Sequence, residues 1–198
     1  MKRHFLVSFL VAFLVAANSL VFPAVCVLGQ GPAQLSAAAS KLLVISRRSA
    51  DTGAIYPEVV MALSVLPFKV TQALLEHGVK VRIVPTLVEY DPKLGEKGVG
   101  PRGWRQGATF ENVGGLFHIA TNSVLVAEKS VSLQDSGQLE KHRRPYKTTL
   151  HECGHAFDRS MGMLSRSESF RAAYTADVSQ LKWAPPANLR YFLQAGNS

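Results

Sequence analysis

At 198 residues and 47% apolar composition, the chain can bury one sizeable core, and a single domain is the natural expectation. Its net charge of +8 is spread thinly: the densest run, Lys141-His142-Arg143-Arg144, has no interleaved aromatics and no recognisable module, which argues against a nucleic-acid partner. Some attraction for anionic surfaces such as cell envelopes is all that charge implies. Of the two cysteines, Cys26 lies near the N-terminus and Cys153 far from it, so no disulfide framework is expected.

The chain starts with a cationic Met1-Lys2-Arg3-His4 and an apolar run from Phe5 to Ala17, the length of a secretory signal and shorter than most membrane spans. We expect a signal peptide within residues 1–29, with cleavage after Ala17 or Gly29. Val25 is bulkier than a lipoprotein site accepts before Cys26, so export is favoured over a lipid anchor or a retained span. The mature protein would be secreted or held in the cell envelope, without a stable membrane span. Residues 30–40 are small and polar and read as a linker, leaving 41–198 as the folded domain.

Within that domain Lys41–Ser46 reads as a first strand, closed by turn residues from Arg47 to Gly53. Pro57 to Gly78 carries Val59, Val60, Leu63, Leu66, Val70, Ala73 and Leu74 at helical spacing, broken at Pro67 and capped at Gly78. Val79–Pro85 alternates apolar and basic residues, a half-buried strand. Tyr90 to Thr109 is rich in Gly and Pro and reads as a long irregular loop that Trp104 pins to the body. Gly114-Gly115 opens a strand, Leu116–Ile119, which forms a hairpin-like pair with Val124–Ala127. That pair is either ordinary core or an edge on which an extended peptide adds as a strand.

A helix follows from Tyr146 to Met161, ended by Gly162. Ser165-Arg166-Ser167-Glu168 has the form of a capping box for one more helix, with Phe170, Tyr174, Val178, Leu181 and Asp177 on one face, stopped by Pro185-Pro186. The fold class is α+β: a small twisted sheet, mostly antiparallel or mixed, with a functional helix and a following C-terminal helix.

The chemistry lies in His151-Glu152-Cys153-Gly154-His155. On a helix, His151 and His155 sit one turn apart on one face, so both imidazoles can reach one metal ion. Glu152, offset by about 100°, is placed to take a proton from water rather than to ligate. Two histidines and an adjacent general base are what zinc-assisted peptide hydrolysis needs. Thr149, Leu150, Cys153, Gly154, Ala156 and Phe157 are uncharged, as expected of a helix buried on every other side. Asp158, three residues past His155, can accept a ring N–H and fix a ligand's tautomer.

Catalytic zinc takes three protein ligands and keeps a position open. Met161 stands where the metzincin motif needs its third ligand, so that class is excluded. Glu168 is taken up by the capping box. Asp177 is the in-chain candidate, and otherwise the ligand lies beyond Ser198 and the chain is truncated at its C-terminus.

The string His151-Glu152-Cys153-Gly154-His155-Ala156-Phe157-Asp158, with Ser165, Phe170 and Tyr191 after it and the Gly-Gly strand pair before it, resembles the anthrax-lethal-factor-like zincins, which include the secreted Pro-Pro endopeptidases. The resemblance covers roughly the last hundred residues, and only the motif helix is specific. It implies a gluzincin-type site in which His151 and His155 bind one Zn2+, Glu152 activates water and Tyr191 stabilises the oxyanion. A downstream glutamate, at or just after Ser198, would complete the ligand set. The expected function is an exported zinc metalloendopeptidase acting on a protein or peptide. The alternative is a secreted, non-catalytic peptide- or surface-binding domain, a truncated or degenerate zincin. Oligomeric state and substrate-binding residues are not readable from the sequence.

Overall fold

The computed structural model describes residues 35–45, 54–96, 99–101, 109–132 and 137–179. The signal segment, Trp104, Leu181, Pro185-Pro186 and Tyr191 lie outside the described residues. What is described falls into two compact units, one within residues 27–157 and one from Asp158 onward.

The first unit begins with a short helix, α1 (Ala37–Leu42), where the sequence suggests linker and then strand. Ser36 Oγ accepts the Ala39 N–H at 3.1 Å, and three consecutive alanines follow this N-cap. The first strand is therefore shortened to β1 (Leu43–Ile45). Next come α2 (Tyr56–Ser64) and α3 (Phe68–Glu76), with Pro67 at the break between them. Behind α3 the chain turns through Gly78 at φ +68°, and the Val79 N–H closes back onto the Leu74 carbonyl at 2.9 Å.

That turn delivers β2 (Lys80–Val84), in which Val81, Ile83 and Val84 are buried while Lys80 and Arg82 stay partly exposed. A one-turn helix, α4 (Leu87–Tyr90), follows, and a 3-10 turn at Pro92–Gly95 gives structure to the start of what reads as irregular loop. Leu87 and Leu94 pack with Val84, Leu125 and Ala127, which anchors this segment to the sheet. Two strands follow, β3 (Gly115–His118) and β4 (Ser123–Ala127), joined through a 3-10 turn and Asn122 in the left-handed conformation.

The sheet order is β1-β2-β4-β3. It is mixed, as expected, with β1–β2 and β2–β4 parallel and only β3–β4 antiparallel. All five positions of β4 are buried, the run expected of an interior strand covered on both faces. β3 lies at the edge. A separate ribbon, β5 (Lys129–Val131) with β6 (Leu139–Lys141), leads into the long helix α5 (Pro145–Ser160), whose first residue is a proline.

In the second unit, α5 ends through Gly162 and Met163, both at positive φ, and a 3-10 turn at Leu164–Arg166 precedes α6 (Glu168–Ser179). The cap of α6 differs from expectation. Ser167, not Ser165, accepts the Phe170 N–H, and Glu168 is simply the first helical residue, exposed. Phe170 is buried and Tyr174 and Val178 are half-buried, but Asp177 points to solvent rather than sharing that face.

Candidate metal and catalytic site

Helix α5 buries Thr149, Leu150, Cys153, Ala156 and Phe157, and this apolar majority fixes which way the remaining side chains face. The Cys153 thiol is buried, pushed up to about 12 by burial and then by the neighbouring Glu152 charge, so it is an inert core residue. His151 and His155 converge: their Nε2 atoms stand 3.1 Å apart and their rings meet edge to face with centroids at 4.6 Å. Two ligand nitrogens each about 2.0–2.1 Å from a tetrahedral ion would be separated by roughly 3.3–3.4 Å, so the pair needs only a slight opening to share one. Burial, and then the His155 charge, lowers His151 to about 4, which keeps its ring neutral and its lone pair available near neutral pH.

These two residues fit two positions of a zinc site. No third His, Cys, Asp or Glu joins them in a group able to hold an ion among the described residues. Asp177 and Glu168 are both exposed on α6.

Glu152 is buried, and its Oε2 accepts the main-chain N–H of Phe117 at 2.7 Å. Burial pushes its carboxyl up to about 7, and the Phe117 N–H opposes that rise by favouring the charged form. A carboxyl poised near neutrality is suited to both taking and returning a proton.

The close approach of α5 to β3 depends on glycine. A Cβ on Gly115 would lie 2.2 Å from Thr148 Cγ2 and 3.5 Å from Glu152 Cγ, and one on Gly114 would lie 2.2 Å from the His142 ring. His142 sits over Gly114, shares a 2.9 Å hydrogen bond with Thr148 Oγ1, and is lowered to about 4 by burial. The sequence carries a signal for this in Gly114-Gly115, but nothing in it points to His142 as the group that fills the space.

Asp158 holds the turn after α5: its two carboxylate oxygens accept the Ser165 N–H at 2.7 Å and the Ser165 O–H at 2.8 Å. A carboxylate offers about four acceptor positions, so this clasp leaves capacity for a histidine ring N–H.

At the far end of β3, His118 Nε2–H donates to Asp91 Oδ2 at 3.0 Å and Nδ1 accepts the Thr121 O–H at 2.8 Å, a tautomer assigned from the partners. The Tyr90 hydroxyl donates to Thr121 Oγ1 at 3.3 Å. Neither Asp91 nor His118 stands out in the sequence, since each belongs to a motif only through the other.

The elements define an α+β architecture built on a mixed four-stranded sheet. The structure is similar to that of the Pro-Pro endopeptidase PPEP-2 from Paenibacillus alvei, with a TM-score of 0.52, 24% sequence identity, and coverage of 72% of this chain and 73% of that one. At that identity the likeness is one of fold. No protein-family model and no curated protein matches the sequence.

Proposed function

We propose that the chain is an exported, zinc-dependent metalloendopeptidase in which His151 and His155 hold the ion. One observation carries the reading: two imidazole nitrogens face each other 3.1 Å apart on a helix that also carries a buried, proton-ready glutamate beside them. The similarity of fold to an endopeptidase supports it. Zinc, when bound, supplies Lewis acidity that polarises a carbonyl and makes water a stronger acid. Glu152 takes a proton from the attacking water at a carboxylate oxygen and delivers it to the leaving amine. The resemblance assigns Tyr191, outside the described residues, to stabilise the developing oxyanion. Asp158 steadies the end of α5 through Ser165.

The test uses the full-length protein. Bound zinc is measured together with cleavage of peptides containing Pro-Pro bonds, the natural first substrates because the structural neighbour is a Pro-Pro endopeptidase. Glu152→Gln should retain zinc and lose about 10²- to 10⁴-fold in rate. An unchanged rate removes the mechanism. A chain that binds no zinc and cleaves no peptide, yet binds peptide, is the non-catalytic domain instead.

A further inference from the structure

We propose that the main-chain N–H of Phe117 is the positioning donor for Glu152, holding Oε2 so that the other oxygen, Oε1, handles the proton. This rests on the peptidase reading and adds to it a group that no side-chain motif contains.

The argument starts from strand register. β3 is an edge strand, antiparallel to β4, with Gly115 opposite Val126, Leu116 opposite Leu125 and Phe117 opposite Val124. The Ala127 N–H bonds to the Gly114 carbonyl, so Gly114–Ala127 is a hydrogen-bonded pair and, by alternation, Leu116–Leu125 and His118–Ser123 are too. Phe117 falls between them, and its N–H points outward from the sheet. An outward donor on an edge strand ordinarily meets water or an added strand. Here it meets the Glu152 carboxylate at 2.7 Å, the length of a charge-assisted bond.

The contact is built from both sides. Gly115 lets α5 come close enough for Glu152 to reach, with Thr148 one turn earlier filling the space a side chain would need. His118, the next residue after Phe117, is tied to Asp91 and Thr121, which fixes the strand at its other end. A glutamate side chain otherwise has several rotamers to choose among, and fixing it in advance removes that search from the reaction. The same bond shows why β3 does not offer Phe117 to an added peptide strand in this structure: the donor is already occupied.

Two measurements test this. The first needs no activity or metal. With 15N-phenylalanine labelling, the Phe117 amide should exchange with solvent at least roughly tenfold faster in Glu152→Ala than in the unmodified protein, while ladder amides of β4 do not change. Equal exchange overturns the proposal.

The second compares Phe117→Pro with Phe117→Ala. Both remove the buried ring, but only proline removes the N–H, and proline is tolerated here because that N–H lies outside the β3–β4 ladder. The proline variant should fall a further 10- to 100-fold in kcat, with KM and zinc content matching the alanine variant. Equal or higher kcat for the proline variant overturns this inference and leaves the peptidase reading intact. A zinc-loaded, unmodified enzyme that cuts no peptide overturns both, and the exchange result then reports only the contact. If Phe117→Pro does not fold, the exchange measurement alone decides.

Discussion

Two of the regions that carry histidine treat its ring nitrogens differently. At the β3–β4 turn, His118 is answered by unlike chemistry on both sides, a carboxylate at one nitrogen and a hydroxyl at the other. In the middle of α5, His151 and His155 turn like groups toward each other. A satisfied histidine needs nothing further and serves as a clasp. Two neutral imidazoles can share one proton, but a divalent cation satisfies both lone pairs together, and the helical spacing of four residues is what brings them within reach.

The largest expected effect separates those regions directly. His151→Ala should weaken zinc binding by at least about 100-fold, read by competition with a chromophoric chelator. His118→Gln should leave zinc affinity within about twofold and instead lower the melting temperature. If the two substitutions weaken zinc alike, the distinction drawn from ring partners is wrong.

Next in size is the packing that brings α5 to the strand. Gly115→Ala places a methyl 2.2 Å from Thr148 Cγ2 and 3.0 Å from the Leu125 carbonyl oxygen, and should destabilise by about 3 kcal/mol in chemical denaturation. Adding Thr148→Ser removes the clashing methyl and should restore part of that loss, the remainder reflecting the rigid carbonyl. Tolerance of alanine at position 115 without loss would mean that α5 and β3 are not held at this distance.

These residues also mark what the sequence could and could not convey. The helix break at Pro67, the turn at Gly78, the β3–β4 pair and the span of α5 were legible because each rests on local chemistry: a missing N–H, a positive φ, a period of two or of 3.6. The histidine pair was legible for the same reason. The cap of α6 was misplaced by two residues because Ser165 and Ser167 are equivalent as local caps, and only the engagement of Ser165 by Asp158 decides between them. The Phe117 contact was not legible at all. A main-chain N–H has no letter in the sequence, and which way it points depends on a strand register set by residues elsewhere.

A smaller effect sharpens the clasp. Asp91→Ala removes the carboxylate that receives His118 Nε2–H and also the oxygen that caps the Lys93 N–H at 3.1 Å. The expected cost is about 1–2 kcal/mol, with zinc affinity unchanged. Should zinc affinity fall in step with stability, the β3 turn and the α5 pair are energetically one site.

A pH-dependent effect concerns His142, which belongs to neither region but packs between Gly114 and Thr148. Its folded pKa, lowered to about 4 by burial, lies below the ordinary value of 6.5 that an unfolded chain would show. Between those values the unfolded state binds the extra proton, so acid favours unfolding: the contribution is complete above pH 6.5 and is lost as pH falls toward 4. In His142→Gln, stability should therefore decline less between pH 7.5 and 4.5 than in the unmodified protein, as read from urea midpoints at each pH. An identical decline in both would mean that His142 takes up its proton without leaving its place, and that the packing over Gly114 tolerates a charged ring.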